Sequence, residues 1–220
     1  AIIATGNELI PPGQALQFGQ IYESNSIMFS AALAKNGFSD ISYFKVEDTY
    51  DSTISLLENT LKQFDVVLIS GGISVGDYDF VGKALRALQV EEVFYKVKQK
   101  PGKPLYFAKK QETIIFALPG NPASSLSCFY IYVLPSLLKL SGQTNCNLKR
   151  SIATATTAYI KKGQRAEFLK ASVQENKVTI LDGQASSMLR SFALANAMVY
   201  LKEEITEVKI GDAIEVIHLP

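Results

Sequence analysis

The stretch that decides the fold of this chain is GGISVGDYD, at residues 71–79. It follows an apolar run at 66–70 that predicts a buried strand, and it precedes apolar residues at 80–88 that have helical spacing. A glycine-rich turn between a strand and a helix exposes backbone N–H groups at a helix N-terminus, where a phosphate or similar anion is favoured. The carboxylates of Asp77 and Asp79 fit such a site if a divalent cation neutralises both sides. The alternative interpretation is a tight turn with an ordinary acidic N-cap.

A second turn of this kind lies further along the chain. The motif KPGKP at 100–104 is followed by LPGNPASS at 118–125, which runs into a long apolar helix predicted at 121–140. We expect the amides of Gly120 and of residues 123–125 to face an anion there. If the strands predicted at 66–70 and 113–117 are parallel neighbours, both turns lie at the carboxyl edge of one sheet, where open α/β sheets bind ligands.

The chain changes its pattern near residue 142. Before that point strands and helices alternate, which predicts an α/β domain with a mostly parallel sheet covered by helices on both faces. After it, short β-rich runs predict a small antiparallel barrel or sandwich. We therefore predict domains at 1–143 and 147–220. The predicted strands are 2–5, 41–46, 66–70, 94–98, 105–108, 113–117, 152–159, 167–174, 177–181, 197–201 and 213–217, and the predicted helices are 26–35, 51–61, 80–88 and 121–140.

Composition excludes several classes of protein. A net charge of +1 over 220 residues gives no electrostatic case for binding nucleic acid or an acidic membrane. The longest apolar run, at 128–134, ends at Pro135 and predicts a buried helix. No stretch of this sequence has the basic and apolar pattern of a signal peptide. Two cysteines are too few for a disulfide scaffold, which fits a reducing, cytoplasmic location. A single histidine, His218, argues against a histidine triad or a multi-histidine zinc site.

Five motifs in a fixed order carry a resemblance to a known family. They are TGNEL at 5–9, GQIYESN at 19–25, the 71–79 turn, KPGKP at 100–104 and LPGNP at 118–122. Together they resemble the C-terminal half of the molybdopterin molybdenumtransferase family, of the MoeA and gephyrin E-domain type. The resemblance implies a MogA-like molybdopterin-binding α/β domain followed by a small barrel-like β-domain. It also implies insertion of molybdate into adenylylated molybdopterin with release of AMP, to complete the molybdenum cofactor.

The resemblance implies further properties of the protein. The chain opens directly on a strand, so we expect a fragment that lacks N-terminal domains and is inactive alone. The family implies a homodimer and contact with the upstream molybdopterin adenylyltransferase. Two alternatives remain: that adenylyltransferase itself, which residues 147–220 disfavour, and a non-catalytic scaffold that docks peptides. Side-chain types do not discriminate molybdate from tungstate.

Acidic residues follow three of the predicted strands and should converge on one edge of the sheet. They are Glu8, Asp48 and Asp79. The resemblance makes all three catalytic and makes Asp48 and Asp79 ligands of Mg²⁺, with Zn²⁺ as the second choice. The alternative is that they are solvated loop or capping residues. Asn7 and Glu23 stand where the family usually has Asp, which argues against metal ligation at these two positions.

The remaining candidates bind the pterin substrate or its phosphates. Lys96, Lys98 and Lys100 alternate, so on one strand they would share a face, either as a ligand site or as a solvated edge. The prolines are expected to set the shape of the turns. The family also implies a basic role for Arg165 and a serine-rich segment at 184–191 that reaches toward the site. The predicted binding residues are Thr5, Gly71, Gly72, Ser74, Gly76, Lys96, Lys100, Lys103, Pro119, Gly120, Asn121, Pro122 and Ser124.

Overall fold

A computed structural model describes residues 1–72 and 80–220. These residues form two compact units. The first contains Ala1–Val97 and Pro104–Gly120, and the second contains Lys98–Lys103 and Asn121–Pro220. The long helix that begins at Pro122 thus groups with the β-rich part of the chain, whereas the sequence pattern places it in the α/β domain. The domain boundaries at 1–143 and 147–220 stay a prediction.

The described residues contain strands and helices in the predicted alternation. The strands are β1 (Ile2–Thr5), β2 (Leu9–Ile10), β3 (Ile21–Tyr22), β4 (Tyr43–Val46), β5 (Val66–Ser70), β6 (Glu91–Tyr95), β7 (Gln99–Lys100), β8 (Tyr106–Lys110), β9 (Thr113–Leu118), β10 (Arg150–Ala155), β11 (Tyr159–Ile160), β12 (Ala166–Gln174), β13 (Lys177–Ile180), β14 (Ala197–Leu201), β15 (Glu207–Val208) and β16 (Ala213–His218). The helices are α1 (Asn25–Lys35), α2 (Tyr50–Gln63), α3 (Phe80–Ala87), α4 (Pro122–Leu140) and α5 (Arg190–Leu194).

The first unit is built on a six-stranded sheet of order β4-β1-β5-β9-β8-β6. The first four strands are parallel, and β8 and β6 run antiparallel. Side chains from β1, β5, β9, α2 and α3 share one apolar cluster, which includes the fully buried Ile69, Leu85 and Ile115. The prediction that β5 and β9 are parallel neighbours is confirmed. Four carboxyl ends, those of β1, β4, β5 and β9, therefore meet at one edge of the sheet.

The second unit contains a small barrel. Five strands follow the order β13-β10-β16-β14-β12, and β12 pairs back with β13, which closes the sheet. Strand β7 adds to the barrel by pairing in parallel with β12. Alternate residues of the strands fill the interior, among them Leu169, Val199 and Val216. The predicted barrel-like β-domain is confirmed.

Helix α4 runs through Pro135, although the apolar run in the sequence stops there. The helix changes to π geometry over Phe129–Val133, a segment that ends two residues before this proline. Because proline lacks an N–H and crowds the preceding turn, a local π segment lets the helix continue. Helix α4 is long and apolar enough to cross a membrane, yet 61% of its most apolar stretch is buried within the protein. Its Cys128 is fully buried, and burial raises the pKa of this thiol to about 12, as expected for a core residue.

Candidate functional site

The turns after β5 and β9 meet at the carboxyl edge of the sheet. Gly71 and Gly72 have φ angles of +83° and +64°, in the left-handed region that favours glycine. A Cβ atom on Gly71 would lie 2.8 Å from the backbone oxygen of Thr5, and one on Gly72 would lie 2.8 Å from a methyl of Val81. A Cβ atom on Gly120 would lie 3.9 Å from the Cα of Gly71. The end of β1 therefore packs tightly against Gly71 and Gly72, and Gly120 lies at ordinary contact distance from Gly71.

Two buried polar atoms at this edge lack a hydrogen-bond partner among residues 1–72 and 80–220: Thr5 Oγ1 and Asn25 Oδ1. Thr5 is 5% exposed and Asn25 is 8% exposed. The Asn25 amide nitrogen donates to Ser70 Oγ at 2.7 Å and to the Gly120 carbonyl at 2.8 Å, which fixes the orientation of the side chain. A buried acceptor without a donor costs free energy, so these two atoms suit a ligand that supplies hydrogen bonds.

The acidic candidates Glu8 and Asp48 follow β1 and β4, which are parallel neighbours. The Asp48 amide donates to the side-chain oxygen of Asn7 at 3.2 Å, so the two loops are tied together. Asn7 thus has a structural role that an aspartate could also fill. The Glu8 carboxylate folds back over Gly6, where a Cβ atom would lie 2.9 Å from Oε2. Both acids sit in solvated loops at the predicted edge, and their catalytic roles stay predictions.

Four candidates of the 71–79 turn lie outside the described residues: Ser74, Gly76, Asp77 and Asp79. In the described part of the chain, no three histidine, cysteine, aspartate or glutamate side chains cluster as a metal site would require. Asp48 lies in the described part of the chain and Asp79 lies outside it, so the metal site predicted for this pair stays a prediction.

The prediction that three alternating lysines share a strand face is wrong. Lys96 has a φ angle of +68° and follows the last residue of β6, and its ammonium lies 4.7 Å from the ring centre of Tyr95. Lys98 precedes β7 and pairs with Glu203 at 2.5 Å, whereas Lys100 lies on β7 itself. The three lysines do not lie on one continuous strand, so their alternation in the sequence does not place them on one face.

Lys100 is paired with a carboxylate that sequence reasoning missed. Glu167 is 1% exposed and accepts from the Lys100 ammonium at 3.1 Å and from the Tyr159 hydroxyl at 2.7 Å. Burial, together with the hydrogen bond to Glu167, raises the pKa of Tyr159. An acidic residue inside the apolar strand β12 was the available signal. Lys103, the other lysine of this motif, is exposed.

The start of α4 is closed by the protein itself. The amides of Ala123 and Ser124 both donate to the carbonyl of Ser186, at 3.1 and 3.2 Å, and the amide of Ser125 donates to the carbonyl of Asn121 at 3.0 Å. The first residue of the helix is a proline, which has no N–H to offer. Our expectation that amides 123–125 face an anion is therefore wrong, because all of them are already paired. A ligand role for the Ser124 side chain stays a prediction.

The other predicted residues lie near the start of α4 in sequence or, in the case of Arg165, beside β7. The Asn121 amide nitrogen donates to Ser186 Oγ at 3.0 Å. Pro119 is buried and Pro122 opens α4, in keeping with the expected role of setting shape. Arg165 donates to a backbone carbonyl of β7 at 3.1 Å. The ligand contacts predicted for these residues stay predictions.

An amide in the first turn of α1 is bound by a side chain from outside the helix. Ser24 is the residue that precedes α1, but its side chain does not cap the helix by a hydrogen bond. The carboxylate of Glu23 does so by accepting from the Ser26 amide at 2.9 Å and from the Ser26 hydroxyl. Asn25 is thereby free to turn inward toward the edge of the sheet. The GQIYESN motif contained this signal, since an acidic side chain three residues before a helical amide can cap it.

Comparison with known proteins agrees with this architecture. Residues 1–139 match the family described as "Probable molybdopterin binding domain", and residues 153–219 match "MoeA C-terminal region (domain IV)". The molybdenum cofactor synthesis protein cinnamon of Drosophila melanogaster is 32% identical over 98% of this chain and 37% of that protein. A molybdopterin molybdenumtransferase of Staphylococcus epidermidis is 31% identical over 99% of this chain and 53% of that protein.

A solved structure gives the same result. The molybdopterin biosynthesis MoeA protein from Pyrococcus horikosii superposes with a TM-score of 0.81 and 29% identity, over 99% of this chain and 53% of that one. The chain spans about half the length, or less, of the curated relatives described above. Because the first family covers well over half of its residues, the chain belongs to the molybdopterin-binding domain family, here joined to a MoeA-type C-terminal region.

Proposed function

We propose that this chain carries the substrate-binding part of a molybdopterin molybdenumtransferase, which inserts molybdate into adenylylated molybdopterin and releases AMP. The observation that carries the proposal is the pair of buried acceptors, Thr5 Oγ1 and Asn25 Oδ1, at the edge where glycines 71, 72 and 120 meet. A pterin ring presents N–H donors along one edge, which is the complement that these acceptors need. Because Gly71 and Gly72 have no side chain, their backbone packs directly against Thr5 and Val81, which places the Thr5 hydroxyl beside the turn.

Charge around the motifs supports the same substrate. Lys103 is exposed and Lys100 keeps part of its side chain in solvent, so both can attract phosphate or molybdate. The glycine turn at 71–79 remains the proposed phosphate-binding loop, with Ser74 and Gly76 as contributors. The MoeA-type region at 153–219 favours the transferase over the related adenylyltransferase, and a peptide-docking scaffold is the second alternative.

A divalent cation fits the donor set of this edge. Asp48 supplies a partly solvated carboxylate there, and Asp79 would supply a second. Hard oxygen donors suit Mg²⁺ better than Zn²⁺, because Zn²⁺ prefers thiolate and imidazole ligands. The thiol of Cys128 is buried in α4 and the imidazole of His218 lies on barrel strand β16. When bound, the ion would polarise the phosphoanhydride of the substrate and neutralise the departing AMP.

The proposal extends to assembly and place of action. We expect a homodimer, in which a second protomer completes the site, and a hand-over of substrate from the upstream molybdopterin adenylyltransferase. We expect this to occur in the cytoplasm. Sedimentation of the full-length protein, alone and with the adenylyltransferase, tests both assemblies.

The deciding experiment is calorimetric titration of the full-length protein with adenylylated molybdopterin, with and without Mg²⁺. Thr5→Val removes one open acceptor, and we expect the Kd to rise by about tenfold, the value of one hydrogen bond in a buried site. Asp79→Asn should weaken binding only when Mg²⁺ is present. Thr113→Val is the matched control, because its hydroxyl is also buried but donates to the Phe64 carbonyl at 2.9 Å. An unchanged Kd for Thr5→Val would remove this edge from the proposed site.

A further inference from the structure

Lys170 lies on barrel strand β12 and is almost completely buried, at 3% exposure. Its ammonium contacts the carbonyls of Gly183 at 2.7 Å, Met188 at 3.1 Å and Ala185 at 3.4 Å, and it lies 5.6 Å from the ring centre of Phe192. A lysine ammonium has three N–H donors, and here one short segment of backbone supplies three acceptors. Burial lowers the pKa of Lys170 to about 8, while the three surrounding backbone carbonyls favour the charged form.

Side-chain contacts fasten the same segment, residues 183–191, to β12. Gln184 accepts from the Lys170 amide at 3.0 Å and donates to the Lys170 carbonyl at 2.8 Å, so its side chain joins the barrel as a short strand would. It also donates to the Leu181 carbonyl at 2.7 Å. The Ser191 hydroxyl donates to the Gly183 carbonyl at 2.8 Å. The backbone of the segment is therefore fixed from within the barrel.

The other face of the 183–191 segment contacts the start of α4. The carbonyl of Ser186 accepts from the amides of Ala123 and Ser124, and its hydroxyl accepts from the side chain of Asn121. A helix N-terminus leaves N–H groups without partners unless something caps it. Here the cap comes from a residue more than sixty positions away in the chain, so its placement depends on what holds the segment.

We propose that Lys170 is a positioning residue that holds the 183–191 segment so that Ser186 caps α4 and sets the geometry of the 121–124 turn. This rests on the proposed function in one respect, since the family resemblance places Asn121, Pro122 and Ser124 among the residues that bind the substrate of that function. The direct partner of the turn is Ser186, and Lys170 acts through it. The ammonium is the centre of this link because it binds carbonyls on both sides of Ser186.

The test compares two buried lysines in the full-length protein. Lys170→Met removes the link, and we expect amide hydrogen exchange at Ala123 and Ser124 to accelerate by about tenfold, as a lost hydrogen bond implies. Lys161→Met is the matched control, because Lys161 is also buried and also donates to two backbone carbonyls, at 2.7 and 2.8 Å, in a different turn of the barrel. It should leave exchange at these two amides unchanged. Unchanged exchange in Lys170→Met would overturn the proposal.

A second variant covers the case in which Lys170→Met does not fold. Gln184→Ala keeps the lysine and its three acceptors but removes the other fastening, so exchange at Ala123 and Ser124 should accelerate by a smaller factor, about threefold. No acceleration in Gln184→Ala would then count against the proposal.

The ligand readout separates this proposal from the proposed function. With adenylylated molybdopterin as the probe, Lys170→Met should raise the Kd by about tenfold and Lys161→Met should not. Faster exchange without a change in Kd would refute the ligand-binding role of the 121–124 turn. A wild-type protein that binds no adenylylated molybdopterin would refute the proposed function, while the exchange result would still decide the role of Lys170.

Discussion

The turn after β5 and the turn before α4 each follow a strand of the parallel sheet, but the polar groups beside their described residues are paired to different extents. Around the first, Thr5 Oγ1 and Asn25 Oδ1 are buried and lack partners among the described residues. At the second, every first-turn N–H that α4 possesses is paired, two of them with Ser186. Turn motifs therefore indicate the path of the backbone, and only long-range contacts decide whether its polar groups remain available to a ligand.

The largest loss of stability should come from a side chain placed at Gly71, in the turn after β5. Gly71→Ala places a Cβ atom 2.8 Å from the Thr5 carbonyl oxygen, a backbone atom that cannot move aside without shifting β1. Gly142→Ala is a matched control, because Gly142 has the same φ angle of +83° but nothing within 4 Å of its Cβ position. We expect Gly142→Ala to cost about 1 kcal/mol of unfolding free energy, and Gly71→Ala at least about 2 kcal/mol more. Urea denaturation measures both.

Equal costs for the two variants would show that the end of β1 relaxes to accept a side chain. In that event the close backbone approach would not be a requirement of the fold, and the glycines of this turn would need a ligand to explain them.

The turn after β5 is also a part of the molecule that the local sequence predicts well. The apolar runs of β5 and β9 and the glycines between strand and helix predict a parallel pair with its turns at one edge, and the register confirms it. The cap at the start of α4 depends on Ser186 and Lys170. Because these residues lie far from α4 in the chain, no local pattern could predict the cap. The prediction of a shared face for the three lysines failed for a related reason. Alternation predicts a shared face only on a continuous strand, and Lys96 lies between β6 and β7.

An effect of intermediate size is expected where the second unit has paired a buried charge. Lys100→Met leaves the Glu167 carboxylate buried with Tyr159 as its described donor. Breaking a fully buried ion pair costs about 3–5 kcal/mol, but the Lys100 side chain is 39% exposed, so we expect about 1–2 kcal/mol. Lys103→Met, three residues away and exposed, should change the unfolding free energy by less than about 0.5 kcal/mol.

Thermal and urea unfolding of the two lysine variants give the stability difference, and calorimetry with adenylylated molybdopterin gives the ligand difference. If Lys100→Met unfolds as the wild type does, the pair with Glu167 is not a structural contact, and Lys100 would be as available to a ligand as Lys103.

A small effect is expected from the side-chain contact that closes the start of α4. Asn121→Ala removes the hydrogen bond from its amide nitrogen to Ser186 Oγ, but leaves both backbone bonds to the Ser186 carbonyl. Since Asn121 is exposed, water can replace the lost contact, and we expect a cost of about 0.5 kcal/mol. Exchange at Ala123 and Ser124 should change little. A marked acceleration would show that the side chain, and not the Ser186 carbonyl, closes the helix.

The smallest effect on stability is expected when a buried hydroxyl without a described partner is removed. Its comparison is the removal of a buried hydroxyl that is hydrogen-bonded. Thr5→Val and Thr113→Val each replace a buried hydroxyl by a methyl group of similar size. Thr113 Oγ1 donates to the Phe64 carbonyl at 2.9 Å, so its loss leaves an acceptor unpaired and should cost about 1 kcal/mol. Thr5 Oγ1 has no partner in the described structure, so its removal should leave the unfolding free energy within about 0.5 kcal/mol, or raise it. A threonine whose hydroxyl adds nothing to stability but strengthens ligand binding is positioned for the ligand. Equal destabilisation by the two variants would instead mean that the fold itself uses the Thr5 hydroxyl.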